Sequence, residues 1–247
     1  MPEERQTATV ERRADARGPA RRRPSKVDSI RPTYGFDDVS LAPGTETIEP
    51  VDVEVAVEIG GIGLAIPILA SAMDAVVDAR FAGELARLGG LAVLNLEGVQ
   101  TRYDDADAVL ARIAAAPDEA VQELLAEAYG EPIQEALIAR RIDELHAAGS
   151  QAAVAATPAA ARRFGPFCAE HGADLFLVQS QVSSARHLAR GYDPLELSDF
   201  TRFMPIPVAV GNTTSYEAAL ELMPQYLVST LFATICADPR PSSWLKL

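Results

Sequence analysis

From residue 66 onward the apolar residues fall into short unbroken runs separated by stretches of helical periodicity. Residues 66–70, 91–96, 152–156, 175–178 and 207–210 are the runs, and 78–88, 159–171 and 216–223 are the clearest helical stretches between and after them. Continuous apolarity suits parallel strands covered on both faces, and strands alternating with helices at this spacing predict βα units around a parallel sheet. Gly89-Gly90 and Gly172 stop two of the helices. Upstream, Val51, Val53, Val55 and Val57 alternate with Asp52, Glu54 and Ala56, a pattern that predicts a half-buried strand, with Gly60, Gly61 and Gly63 supplying the turn after it.

Two segments break the rhythm. Residues 102–148 read as an inserted helical stretch, in which Ile138, Ile142 and Leu145 fall at i, i+4 and i+7 while Pro117, Gly130 and Pro132 divide it into three helices. Residues 97–147 carry twelve acids against four arginines, so the stretch reads as a solvated lid or interface with no chemistry visible in it. Residues 1–33 carry nine Lys or Arg against five acids and read as a flexible basic arm. Arg12-Arg13 is not followed by the apolar segment of an export signal.

Composition narrows the partners. With 22 basic and 35 acidic side chains in 247 residues, the net charge of −13 argues against nucleic acid or an anionic membrane. The stretch 59–73 is broken by glycines and Pro67 and falls short of the roughly 20 residues of a membrane span, so a cytoplasmic protein is expected. Two cysteines, Cys168 and Cys236, make no disulfide framework, and three scattered histidines do not approach metal-ligand spacing. The length matches the eight-fold β/α barrel, at roughly 250 residues.

In such a barrel the polar side chains just after a strand sit on the face where catalysis is assembled. This logic selects Ser71, Met73 and Asp74, then Asn95 and Glu97, Thr157, Gln179 with Ser180 and Gln181, and finally Gly211, Asn212 and Thr213. Each also has a plainer reading. Thr157 before Pro158 is a helix N-cap followed by proline at the first position, and Thr214 or Ser215 caps the next helix in the same way. Met73 fills a gap in a core, Asp74 and Asp78 serve turns and caps, Gly211-Asn212 is a turn, and Cys168 is a small buried hydrophobe.

Four phrases then stand in register. Residues 36–44 (FDDVSLAPG), 66–76 (IPILASAMDAV), 89–95 (GGLAVLN) and 207–212 (PVAVGN) resemble, in that order, the IMP dehydrogenase and GMP reductase family. The phrase at 93–103 (VLNLEGVQTRY), with helical sequence where the typical enzyme inserts paired CBS domains, is similar to the CBS-less branch. The resemblance spans about 34–223 and implies a (β/α)8 barrel of TIM type, represented by about its first five β/α units. It implies that a cysteine on a glycine-rich loop attacks the purine nucleotide, that hydride passes to NAD, and that the covalent intermediate is hydrolysed, IMP becoming XMP. GMP reductases run a related course with NADPH. The resemblance places Ser71 and Met73 at the nucleotide, and Asn95, Thr157, Gln179, Ser180, Gln181, Gly211 and Asn212 toward the cofactor. It also implies a purine nucleotide partner and a homotetramer. Gln179 stands where the dehydrogenases carry an aspartate and Asn95 where a histidine is common, so neither supplies the family's group.

The resemblance stops after Met223, and residues 224–247 read as a tail foreign to the family, as in a truncated or frameshifted product. No glycine follows Gly211, so Cys236 lacks the flexible loop expected of the nucleophile, and the catalytic cysteine, the phosphate-binding loops and the family's monovalent cation site have no counterpart. The expectation is an incomplete barrel without turnover, marginally folded because an open sheet leaves an unpaired edge and an unfilled interior.

Overall fold

The computed structural model describes residues 36–40, 42, 44–184, 186–191, 193–213, 216–223 and 227–229. The arm at 1–33, the Thr214 or Ser215 cap, Cys236 and most of the tail lie outside them. The chain divides into two compact units, Met1–Val53 and Glu54–Leu247. In the first, the described residues form two short 3-10 turns, Phe36–Asp38 and Pro50–Asp52, the second opened by proline at its first position.

The half-buried strand expected over 51–57 does not form. Val51 sits in the second turn and is 89% exposed, Val53 and Val55 are 45% exposed, and regular pairing begins only at Val57. Alternation marks a strand only where a partner strand covers the apolar face, and among the described residues no strand pairs with 51–56. What forms instead is a hairpin of β1 (Val57–Ile59) and β2 (Ile62–Leu64), turned at Gly60 and Gly61 with φ of 56° and 84°. Positive φ at both turn positions is what a tight two-residue hairpin requires, and glycine adopts it without strain.

The sheet is parallel and in chain order: β3 (Leu69–Ala70), β4 (Leu91–Asn95), β5 (Ala153–Ala156), β6 (Leu175–Gln179), β7 (Val208–Gly211) and β8 (Leu227–Ser229). It curls as part of a barrel. Helices α1 (Ala79–Arg87), α4 (Glu135–Ala147), α5 (Pro158–Glu170), α6 (Leu197–Phe203) and α7 (Tyr216–Leu222) follow successive strands.

Alternation along these strands splits the core in two. Ala92, Leu94, Val154, Ala156, Phe176, Val178, Val208 and Val210 face the helices and pack with Ile138, Ile142, Leu145, Phe164 and Phe200. Leu91, Val93, Ala153, Ala155, Leu175 and Ala209 face the interior, where Ile59, Ile62 and Leu64 of the hairpin join them. Both faces are apolar because both are covered, which is why the runs read as continuous. The hairpin gives the concave face a packing partner that an open sheet would otherwise lack.

Within 102–148 three helices form, but they differ in role. α4 packs against α1 and α5 and is the crossover between β4 and β5, with Ile138, Ile142 and Leu145 fully buried. α2 (Ala106–Ala114) and α3 (Asp118–Gly130) pair with each other over a small cluster of Val99, Ala106 and Ala128. The side chain of Arg141, only 9% exposed, ties the crossover helix to the loop before α2 through the carbonyls of Gln100 at 2.8 Å, Tyr103 at 3.1 Å and Asp104 at 2.9 Å.

Candidate functional site

Parallel pairing aligns the C-terminal ends of the strands. Asn95 is level with Ala155, and Gln179 with Gly211. The chain leaves each strand there, so the first polar side chains of successive loops meet in one place. They line a cleft of about 330 Å³ whose wall includes Asn95, Glu97, Thr157, Gln179, Ser180, Gln181 and Asn212, floored by Ala72 and Ala156. The sequence-selected residues Asn95, Thr157, Gln179, Ser180, Gln181 and Asn212 are thus brought together. Gly211 is the last residue of β7 beneath them. Ser71 and Met73 flank the floor residue Ala72 without entering the wall, and Met73 is 51% exposed, so it fills no core gap.

The ends of β6 and β7 are clasped. Asn212 is buried, and both its backbone N–H, at 3.0 Å, and its Nδ2, at 2.8 Å, donate to the Ser180 carbonyl. The Ser180 N–H donates to the Gly211 carbonyl at 2.7 Å, and the Ser183 N–H to the Asn212 carbonyl at 2.7 Å. Buried Ser183 adds its Oγ to the Gly211 carbonyl at 2.8 Å. Held by its backbone N–H and one amide donor, Asn212 is a fixed wall group.

A second network supports the opposite side. One oxygen of Asp74 accepts from Asn95 Nδ2 at 2.9 Å, and the other from the Val99 N–H at 3.0 Å and the Tyr129 hydroxyl at 2.6 Å. A Cβ added at Gly98 would stand 1.8 Å from Asp74 Oδ1, so the carboxylate occupies space that only glycine leaves. Tyr129 is pushed up to about 12, first by burial and then by the hydrogen bond and charge of Asp74, with the Arg102 charge opposing. The Arg102 guanidinium lies 5.9 Å from the Tyr129 ring centroid and donates to the carbonyls of Glu97 and Glu131. Sequence reasoning saw no chemistry in the stretch bearing Tyr129 and Arg102. No local pattern marks a pairing between residues 74 and 129, although the polar phrase around Arg102 lay within the resemblance.

Thr157 occupies the N-cap position of α5, but its side chain makes no capping bond. Its backbone N–H instead donates to Glu97 Oε2 at 2.5 Å, tying the rim of one loop to the next. Beyond this rim lies a wider cavity of about 450 Å³, which shares Thr157 and Ser180 with the cleft and is walled by Pro158, Val178, Val182 and Leu195. Across it Arg162 pairs with Asp193 at 3.1 Å and donates to the Pro194 carbonyl at 2.8 Å. Cys168 is not part of either space. It is fully buried in the helix-facing core, and burial pushes its thiol up to about 12, as the small-hydrophobe reading requires.

The structure is thus a parallel βα barrel segment with a cleft at its strand ends, the face on which barrels of this kind assemble their sites. A family model of the IMP dehydrogenase / GMP reductase domain matches residues 33–226, and the chain belongs to this family. An uncharacterized oxidoreductase of Mycobacterium bovis is 34% identical over 201 residues, 79% of this chain and 53% of that protein. An inosine-5′-monophosphate dehydrogenase of Methanocaldococcus jannaschii is 43% identical over 70 residues, 28% of this chain and 14% of that protein. The crystal structure of an IMP dehydrogenase/GMP reductase-like protein from Corynebacterium glutamicum superposes with a TM-score of 0.74 at 28% identity, covering 81% of this chain and 54% of that one. The chain therefore spans about half the length of the first of these relatives. Among the described residues no helix is long and apolar enough to cross a membrane.

Proposed function

We propose that this chain carries the nucleotide-facing and nicotinamide-facing part of an IMP dehydrogenase-like oxidoreductase of purine nucleotide metabolism, the family reaction being IMP to XMP with NAD. The observation that carries the reading is the single cleft lined by Asn95, Thr157, Gln179, Ser180, Gln181 and Asn212. The two adjoining spaces fit an elongated dinucleotide. In this reading the cleft of about 330 Å³ at the strand ends takes the nicotinamide riboside, and the adjoining cavity of about 450 Å³ takes the adenosine half. When bound, NAD supplies the hydride acceptor.

The chain's own residues bind and orient. The neutral side chains of Gln179, Ser180 and Gln181 offer donors and acceptors to the riboside, the clasped Asn212 fixes the far wall, and Ser71 and Met73 border the purine nucleotide at the floor. Preorganisation of this kind holds the two ligands in register, the orientation that the family reaction needs. Neither cysteine supplies the nucleophile in this reading. Cys168 is walled off in the core, and no glycine loop surrounds Cys236. The 247-residue chain accordingly binds ligands without turning them over. A cytoplasmic location and a tetrameric parent assembly belong to the same proposal.

Calorimetric titration of the chain with IMP and with NAD, beside an absorbance assay for NADH, tests it. Binding of both without NADH formation is the expected result. Absence of any binding, or rapid turnover of IMP, contradicts it. Oxidation of NADPH in the presence of GMP would move the assignment to a GMP reductase-like activity.

A further inference from the structure

Among the groups lining the cleft, Glu97 is the single ionisable one. Its backbone is pinned at both ends of the residue: the N–H donates to Asn95 Oδ1 at 3.0 Å, and the carbonyl accepts from Arg102 Nε at 3.2 Å and Nη2 at 3.1 Å. Of the carboxylate, Oε2 is held by the Thr157 N–H at 2.5 Å, while no described residue bonds to Oε1. The outcome is a half-buried carboxylate fixed in place, with one oxygen engaged and one available, in a wall otherwise made of amides, hydroxyls and alanines. Such an oxygen repels phosphate and selects a donor, and a charge-assisted bond to a hydroxyl is about twice as strong as a neutral one. Thr157 stands on the wall of both the cleft and the larger cavity, so Glu97 sits where a dinucleotide passing between them would place a sugar.

We propose that Glu97 is the ribose-reading residue of this site: its free carboxylate oxygen accepts from the hydroxyls of the nicotinamide-side ribose, a task to which the neutral Gln179 brings no charge. The assignment rests on the cofactor reading above and deepens it. It makes Glu97 a specificity-determining residue of the cleft.

The test uses the full 247-residue chain, NAD, and the NAD analogue lacking the 2′-hydroxyl on the nicotinamide-side ribose, with binding measured by calorimetry. The wild-type chain is expected to prefer NAD over the deoxy analogue by about tenfold, the loss of one charge-assisted hydrogen bond. Glu97→Gln retains an oxygen for the Thr157 amide, so circular dichroism should be unchanged. It is expected to weaken NAD about tenfold and to reduce the preference for NAD over the analogue to within about twofold. A wild-type chain that binds NAD and the analogue equally overturns the proposal without any variant. A Glu97→Gln chain that binds NAD as tightly as wild type, or keeps its preference, also overturns it while leaving the cofactor reading intact. A wild-type chain that binds neither dinucleotide overturns the cofactor reading itself, and this assignment with it.

Discussion

Gly98→Ala isolates the contact that holds one side of the cleft. The backbone at Gly98, with φ −92° and ψ −167°, is extended and open to any residue, so alanine introduces no conformational strain. Its methyl, however, would stand 1.8 Å from Asp74 Oδ1 and 2.3 Å from Cγ, far inside van der Waals contact, and the carboxylate must swing away. Three hydrogen bonds to a charged group are then lost or distorted, those from Asn95 Nδ2, the Val99 N–H and the Tyr129 hydroxyl. Bonds to charged groups contribute about 1.5–3 kcal/mol each, and a buried N–H left without a partner costs about 1–3 kcal/mol. Val99 is fully buried, while Tyr129 is 41% exposed and can turn to water, so the losses do not simply add. A destabilisation of about 3 kcal/mol follows, which for a body of this size lowers the melting temperature by roughly 6–12 °C. Thermal and urea unfolding of wild type, Gly98→Ala, Asp74→Ala and the double variant measure it as a cycle. In the Asp74→Ala background Gly98→Ala should cost less than about 0.5 kcal/mol. A Gly98→Ala chain melting within about 2 °C of wild type, or one equally destabilised with and without Asp74, refutes the reasoning.

Other consequences can be checked alongside. Because Tyr129 is raised to about 12 from an ordinary 10.0, the folded chain keeps the phenol protonated while the unfolded chain releases its proton. Stability from this source is therefore complete below pH 10 and declines between pH 10 and 12, and Tyr129→Phe should flatten that part of the pH–stability curve. Burial alone would raise Glu144, but the hydrogen bonds from Arg141 and Arg140 outweigh it and hold the carboxyl below its ordinary 4.5. That contribution is present above pH 4.5 and fades as the pH falls further, so Glu144→Gln should unfold less steeply in acid than wild type. Arg141→Met leaves the carbonyls of Gln100, Tyr103 and Asp104 without their donor and should cost about 3 kcal/mol in urea unfolding. In a Cys236→Ser background Cys168 should resist a thiol reagent in the folded chain and react once it is unfolded.

The βα rhythm was legible in sequence because strands buried on both faces show as unbroken apolar runs and their helices end at glycines. The expected strand at 51–57 failed because alternation records only what a strand would do if a partner strand covered it, and Val51 to Val55 pair with none among the described residues. The hairpin's place in the interior core was hidden for a related reason, since Ile59, Ile62 and Leu64 name no partner in their own sequence. That Asn95, Thr157, Gln179, Ser180, Gln181 and Asn212 meet in one cleft was legible from their positions just after strands, because parallel register sets them level, whereas Ser71 and Met73 stay outside its wall. Tyr129 was not, since its meeting with Asp74 joins residues 55 positions apart through a helix pair that leaves no local signal. The reading of Thr157 as a cap was right about the backbone and missed the partner: Glu97 takes its N–H, and the hydroxyl makes no capping bond.

The most direct test of the central claim is backbone-amide NMR of the isotopically labelled chain during titration with NAD. If the cleft is the cofactor site of an IMP dehydrogenase-like barrel, saturable shifts concentrate at Asn95, Glu97, Thr157, Gln179–Gln181 and Asn212. Absent shifts, or shifts gathered on the outer helices away from these strand ends, would contradict it.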